Sequence, residues 1–278
     1  MAAAIEIGAV PPVGDAEFAF FRDLVHARAG IALKDSKRSL VAARLVRRLR
    51  SLGLDSFAAY RHFLQTKDPS GSELKLLINC MTTNKTSFFR EEAHFAILKD
   101  RILAAGRAGQ AVYRIWSAAC STGEEPYSIA MTALDAAHGI EVRILASDLD
   151  TEVLARAEEA MYPLEALDEM DDPLKHRYFL RGRGACEGLV QVKPAVRKLV
   201  TFRNINLVAD GWDVRTHFDA IFCRNVIIYF DRETQARLFG RMVQYLAPGG
   251  LLFVGHAETL FWLDDLLVPL DHSVYRLR

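Results

Sequence analysis

The sequence predicts an α/β fold: a largely parallel sheet with helices on both faces, preceded by a small all-α region and carrying a small antiparallel β insertion. Three observations predict it. From about Glu17 to Lys99 the chain is helical in pattern and nearly free of strand signals. From Tyr113 onward, short apolar runs alternate with helical stretches, the pattern of parallel strands joined by covering helices. Between Arg177 and Arg203, "RYFLRGRGACEGLVQVKPAVRKLVTFR" breaks the alternation with glycines and strand-forming residues but no helix. At 278 residues the chain is long for one domain and short for two full ones. The expected division is 1–84 for the helical domain and 85–278 for the α/β domain, with the hairpin insertion at about 175–203.

The helical region reads in four pieces. "AEFAFFRDLVHARAG" has apolar residues at helical spacing and stops at Gly30. "DSKRSLVAARLVRRLRSLG" follows, with Leu45, Leu49 and Leu52 on one face, and "DSFAAYRHFLQ" and "SELKLLINCMTT" complete a bundle. Beyond Tyr113 the strand candidates are "VYRIWSAA", "VRILASDL", "LVTFRNINL", "FDAIFCRNVII", "LLFVGHA" and "SVYRLR". The helices between them include "EEPYSIAMTALDAA", "TEVLARAEEAM" and "RETQARLFGRMVQYLA".

Composition excludes several classes. Formal net charge is zero, so the chain as a whole is not built for nucleic acid or acidic lipid. Cys80, Cys120, Cys186 and Cys223 are scattered without metal-ligand spacing, as thiols of a reducing compartment are, and nothing suggests a metal. The stretch "MAAAIEIGAVPPVGD" is too short and too acidic for a secretory signal, and no apolar run approaches ~18 residues. A cytoplasmic protein without direct membrane insertion is expected. Nothing demands a dimer, so a monomer is expected too.

"RIWSAACSTGEEPYSIAM", Arg114 to Met131, reads as a strand, a tight turn and a helix. Thr122 is a good N-cap residue and Pro126 falls in the first helical turn. Gly123 stands alone where pyrophosphate-binding loops need several glycines for close backbone approach. Glu124 and Glu125 are poor neighbours for phosphate and suit a cationic amine. Asp148 ends the next strand about 25 residues on, near the ~20-residue offset of an acidic residue that bonds ribose hydroxyls. A sugar, an ammonium group and no phosphate together describe S-adenosylmethionine, with S-adenosylhomocysteine as its product. Taken singly, each feature has a plainer reading. Asp148 is also suited to capping the helix at "DTEVL", Asn225 to ending its strand, Asn206 and Leu207 to a turn, and Arg90 to pairing with Glu91 or Glu92.

Four long stretches then resemble one family. "TNKTSFFRE" (Thr83 to Glu91), "WSAACSTGEEPYSIA" (Trp116 to Ala130), "ASDLDTEVLARA" (Ala146 to Ala157) and "FDAIFCRNVIIYFD" (Phe218 to Asp231) are similar to the CheR chemoreceptor methyltransferases. The resemblance covers almost the whole chain and implies a Rossmann-like class I methyltransferase sheet. It implies S-adenosylmethionine-dependent esterification of glutamates on chemoreceptors. By the same resemblance Asn84, Thr86 and Arg90 would close over the cofactor, Glu124 or Glu125 would hold its methionine end and Asp148 its ribose. Asn206 and Leu207 would border the adenine, and Cys223, Arg224 and Asn225 would lie at the carboxyl end of a further strand.

Such chemistry needs no general base, because a glutamate of pKa ~4.3 arrives as carboxylate at neutral pH. Arg90 is expected to orient that carboxylate through its planar fork, and Tyr229 to direct a hydroxyl at it or a ring face at the sulfonium. Neither a Pro-Pro-aromatic turn nor a Pro-Cys nucleophile follows the strand, which argues against amine or cytosine-carbon methylation of nucleobases. "KDSKRSLVAARLVRRLR" sets many cations against Asp35, and Arg44, Arg47 and Arg48 share a helix face. A solvated face, nucleic acid or an acidic partner helix would each suit them; the resemblance favours the methylation helices of chemoreceptors, with no nucleic acid. The resemblance also implies that a receptor C-terminal peptide could add to the hairpin insertion as a strand. Two rival functions remain at this level: a non-catalytic receptor-binding module that keeps the cofactor pocket, and a methyltransferase on another substrate.

Overall fold

The computed structural model describes residues 12–278 apart from His138, so most of the acidic N-terminal stretch lies outside the described residues. It divides into two compact units, Met1–Thr83 and Asn84–Arg278.

The first unit holds α1 (Asp15–Ala29), α2 (Arg38–Leu52), α3 (Phe57–Thr66) and α4 (Ser72–Met81). The starts of α3 and α4 are set by side chains that satisfy free backbone N–H groups. Ser56 accepts from Ala59, and the Asp68 carboxylate accepts from Glu73 and Leu74 at 3.2 and 2.8 Å. Phe18, Phe21, Val25, Val41, Leu45, Leu49, Phe57, Tyr60 and Leu77 bury the facing stripes.

Helical spacing put Arg44, Arg47 and Arg48 on one face, but they differ in what they touch. Arg48 makes a two-pronged ion pair with Glu73, at 2.9 and 2.6 Å, and the Tyr60 hydroxyl donates to the same carboxylate at 2.7 Å. Arg44 donates to the Met81 and Thr82 carbonyls and to the Thr83 hydroxyl. Both arginines thus brace α2 against α4 and the segment after it, which corrects their reading as a free partner surface. Arg47 is exposed and keeps that reading.

The second unit begins with α5 (Ala93–Arg107), β1 (Val112–Ala118), α6 (Glu124–Ala136), β2 (Glu141–Asp148) and α7 (Thr151–Glu159). There follow β3 (Met161–Pro163), α8 (Asp172–Tyr178), β4 (Phe179–Arg181), β5 (Leu189–Val192), α9 (Pro194–Arg197), β6 (Val200–Asn204) and β7 (Phe218–Phe222). The chain ends with α10 (Arg232–Met242), β8 (Leu246–Phe253), β9 (Leu267–Pro269) and β10 (Val274–Leu277). Seven strands form the main sheet in the order β6-β2-β1-β7-β8-β10-β9. The five strands from β6 to β8 are parallel, and β10 runs antiparallel to both its neighbours. The sheet is buried on both faces: Trp116 is fully enclosed among Trp212, Phe218 and Tyr245, while Phe222 stacks on Phe253 at 4.1 Å.

Three strand expectations need correction. "FDAIFCRNVII" is a strand only to Phe222, because Asn225 then turns left-handed (φ 57°) and Ile227–Tyr229 forms a 3₁₀ turn. The expected hairpin is β4–β5, but a third strand, β3, joins it from upstream to give the order β3-β5-β4. Residues 200–203, which the expected insertion took in, belong instead to β6, the strand expected at "LVTFRNINL", which pairs with β2 as an edge of the main sheet.

From β1 the chain runs outward to β2 and β6, then returns to β7 on the other side of β1. Loops leaving β1 and β7 therefore diverge, and the crevice between them is where open parallel sheets bind ligands. In the first unit, breaking the Arg48–Glu73 pair strands a buried charge. Arg48→Ala, which leaves the buried Glu73 carboxylate without its cation, should lower stability on the order of 3 kcal/mol, read as a fall in the urea midpoint; an unchanged midpoint would show the pair to be idle.

Candidate active site

Between β1 and α6 three residues in five adopt left-handed backbone: Ala119 (φ 64°), Ser121 (φ 50°) and Gly123 (φ 97°). For non-glycine residues that conformation costs about 1–3 kcal/mol each and persists only when neighbours enforce it. Here they do. The Ser121 N–H donates to Asp148 Oδ2 at 2.8 Å, its hydroxyl to the Asn84 carbonyl at 2.9 Å, and the Cys120 N–H to Ser147 at 2.9 Å. Gly123, not Thr122, is the N-cap of α6. A Cβ at 123 would lie 2.9 Å from both Ala157 Cβ and the Tyr162 hydroxyl, so glycine is required by space as well as by φ. Thr122 instead donates its hydroxyl to Glu124 at 2.7 Å, and its carbonyl accepts from Tyr162.

Asp148 is buried at the end of β2, its two oxygens accepting from Ser121 and Asp150. Burial pushes its carboxyl up, opposed by these N–H groups. Each oxygen keeps a second lone pair. It does not cap α7: Asp150 does, accepting from Glu152 and Val153. Asp150 also accepts from the Asn84 side chain at 2.9 Å, which ties the start of the unit to this loop.

Arg224, one residue beyond the buried Cys223 after β7, joins the two sides of the crevice. Its guanidinium, 1% exposed, lies 3.1 Å from Glu125 and 3.0 Å from Glu91, and donates to the Arg90 carbonyl. Glu125 also accepts from the Ser117 hydroxyl at 2.7 Å. Burial raises the Glu125 carboxyl against the pull of Arg224. For Glu91 burial acts the same way, but Arg224 and His256 outweigh it and hold the carboxyl below its usual range. Glu124 is turned toward Thr122, and burial raises it.

Arg90 stands between two left-handed residues, Phe89 (φ 51°) and Glu91 (φ 59°). The Phe89 N–H is held by the Ser128 hydroxyl on α6 at 2.9 Å, and Arg90 itself donates to the Lys85 carbonyl at 3.2 Å. Its presentation is thus fixed from α6 and from Arg224. Thr86 is half-buried on the same segment. Tyr229 is half-buried in the turn after β7. The Asn206 side chain accepts from Val208, its carbonyl from the Trp212 indole, and Leu207 is buried. The Cys223 thiol is fully buried and its N–H bonds Phe253, so its side chain serves the core rather than the crevice.

Sequence reasoning missed Glu258. Its carboxylate, 2% exposed, accepts N–H bonds from Asn225 at 2.8 Å, Ile227 at 3.0 Å and Gly255 at 2.7 Å. It fastens the loop after β7 to the loop after β8. Burial raises this carboxyl, and the N–H donors counter that. Glu91 was also passed over, named only as a partner for Arg90; its other oxygen faces the Asn225 amide at 3.4 Å and the His256 N–H at 3.3 Å. No local pattern marks either residue, since their partners are distant in sequence.

Glu91, His94 and His256 bring their ligand atoms within 4.8 Å of one another. Arg224 lies 3.0 Å from the shared Glu91 oxygen, so the positive charge facing that carboxylate is the chain's own. His94 is fully buried, with Nε2 2.5 Å from the His272 carbonyl. Burial, Arg224 and His256 push its pKa down to about 4, against the opposing pull of His272 and Glu91.

The set of groups suits a cofactor with a positive charge and no phosphate. Three carboxylates, Glu124, Glu125 and Asp148, surround a helix N-terminus that would otherwise attract anions, and the loop lacks the glycines that pyrophosphate demands.

Comparison with known proteins agrees with that chemistry. Residues 84–275 match the CheR methyltransferase SAM-binding domain, and residues 16–82 match the CheR methyltransferase all-alpha domain. The chemotaxis protein methyltransferase of Escherichia coli (strain K12) is 47% identical over 267 residues, covering 95% of this chain and 92% of that protein. Chemotaxis protein methyltransferase 2 of Pseudomonas aeruginosa is 47% identical over 264 residues, covering 93% and 92%. The Salmonella typhimurium protein of the first name is 48% identical, covering 95% and 91%.

Two outcomes test the site's construction. Glu258→Gln turns an acceptor into a donor facing N–H groups, and should cost about 1–3 kcal/mol; an unaltered urea midpoint would show that the loops hold without it. His94 favours its neutral form in the folded state, so its contribution is present above the unfolded pKa of ~6.5 and is lost as pH falls toward about 4. By pH 5 the loss should reach about 2 kcal/mol, seen as a lower thermal midpoint that a His94→Phe variant does not share.

Proposed function

Because this chain belongs to the CheR methyltransferase family and is an S-adenosylmethionine-dependent methyltransferase, we propose that it esterifies glutamate side chains on the cytoplasmic methylation helices of chemoreceptors. The observation that carries the reading is the group of carboxylates Glu124, Glu125 and Asp148 about the start of α6, with the Arg90 carbonyl joined to Glu125 through Arg224. Among the described residues no helix is long and apolar enough to cross a membrane, in keeping with a protein that meets its receptors from the cytoplasm.

The bound cofactor supplies an electrophilic methyl group on a sulfonium. Asp148 would hold its ribose, Asn206 and Leu207 would border its adenine, and Asn84, Thr86 and Arg90 would close over it. Glu124 or Glu125 would hold the ammonium end; Glu125 is paired with Arg224, and Glu124 accepts from the Thr122 hydroxyl.

An incoming glutamate is already ionised at neutral pH, so no group need take its proton. What the chain must do is align the carboxylate and strip water from it, and positioning of that kind is worth ~7–11 kcal/mol of barrier. Arg90 orients the carboxylate through paired N–H donors. It should not hold it too strongly, since the nucleophile's charge is lost as the bond forms. Tyr229 offers a hydroxyl to the second oxygen or its ring to the positive sulfur. Arg47 supports the approach of an acidic receptor helix. A receptor C-terminal peptide would add beside β4, an outer strand of the small sheet whose Leu180 is exposed.

The test is transfer of radiolabelled methyl to a receptor cytoplasmic fragment. Base-labile label on glutamate is expected, and Arg90→Ala should lower kcat about a hundredfold. Cofactor binding without transfer would indicate a receptor-binding module instead, and alkali-stable label a different acceptor.

A further inference from the structure

We propose that Ile228 and Phe261 form an apolar lip at the mouth of the active site that docks the amphipathic helix bearing the substrate glutamate. The inference rests on the methyl-acceptor reading above and adds the surface that acceptor touches.

Ile228 is 54% exposed and Phe261 is 73% exposed, the two most exposed large apolar side chains among the described residues. Neither position is random. Ile228 sits in the turn after β7, directly before Tyr229, and Phe261 sits in the 3₁₀ turn after β8. Both loops leave the carboxyl ends of neighbouring parallel strands, on the side where the crevice opens. They are also bound to each other. Glu258 accepts from Ile227 on one loop and Gly255 on the other, and the Arg232 guanidinium lies 3.3 Å above the Trp262 ring. Those bridges flank Ile228 and Phe261, so the two side chains are held on one braced surface rather than on loose tips.

Large apolar groups left in water at such a place mark a contact surface. The surroundings specify what they contact. Arg232, exposed and lying over the Trp262 ring, gives the lip a cation, which fits a carboxylate on the polar face of the partner. The acceptor must deliver a single glutamate next to Tyr229 while covering the lip. An α-helix does both, because a residue three or four positions from the glutamate lies on the same face. An extended acidic peptide or a flexible acidic tail would present charge without a fixed apolar neighbour.

The experiment compares wild type with Phe261→Ser, Ile228→Ser and the double variant, using a receptor cytoplasmic fragment as methyl acceptor. S-adenosylhomocysteine titration and thermal midpoints control for folding. The double variant should raise the acceptor KM about tenfold, with kcat, S-adenosylhomocysteine affinity and midpoint near wild type. Phe261→Leu and Ile228→Val should restore the KM. If wild type transfers methyl but the serine variants keep the wild-type KM, the lip is overturned and the function stands. A fall in midpoint or in S-adenosylhomocysteine affinity that accounts for the activity change would also overturn it, by showing a structural role. If wild type transfers nothing to the fragment, the functional reading falls and takes the lip with it.

Discussion

One buried guanidinium sets the geometry of this molecule's working end. Arg224 is enclosed almost completely, and a bare cation there would be prohibitive. It is tolerated because Glu125 and Glu91 share its charge and the Arg90 carbonyl accepts one of its N–H groups. Those three partners come from different parts of the chain: the helix following β1, and two adjacent residues of the segment that opens the second unit. Charge balance at one point therefore holds the start of α6 and the Arg90–Glu91 segment at a set separation. Left-handed Phe89 and Glu91 are the local cost of that arrangement.

A second carboxylate repeats the device with backbone in place of a guanidinium. Glu258 gathers three N–H groups from two loops, which no hydrophobic residue could satisfy. The consequence is a left-handed Asn225 and a defined turn carrying Tyr229, both at the end of a strand that a reader of the sequence would extend past Phe222. Polar burial of this sort is specific in a way that apolar packing is not, since each donor has one acceptor.

Much of the architecture was legible because it is periodic. Apolar runs alternating with helices gave away the parallel sheet, and the single glycine among acidic residues pointed to a cationic, phosphate-free cofactor. Strands β3 and β9 are three residues each, too short to display any period. The orientation of Arg44 and Arg48 was illegible for another reason: helical spacing says which residues share a face, not whether that face meets water or Glu73. Glu91, Glu258 and the bracing role of Arg224 exist only as pairings over long chain separations, and a single sequence carries no trace of them. Thr122 looked like the better cap, yet the close approach of Ala157 and Tyr162 selected Gly123.

Ser128 joins these themes. Its hydroxyl accepts the Phe89 N–H while donating to the Glu124 carbonyl in the first turn of α6. The same rod that begins at the donor loop thereby fixes the strand of chain presenting Arg90. The loop that opens α6 and the segment that carries Arg90 are thus tied to one helix. A single helix acts as the common ruler for the Gly123 loop and for Arg90.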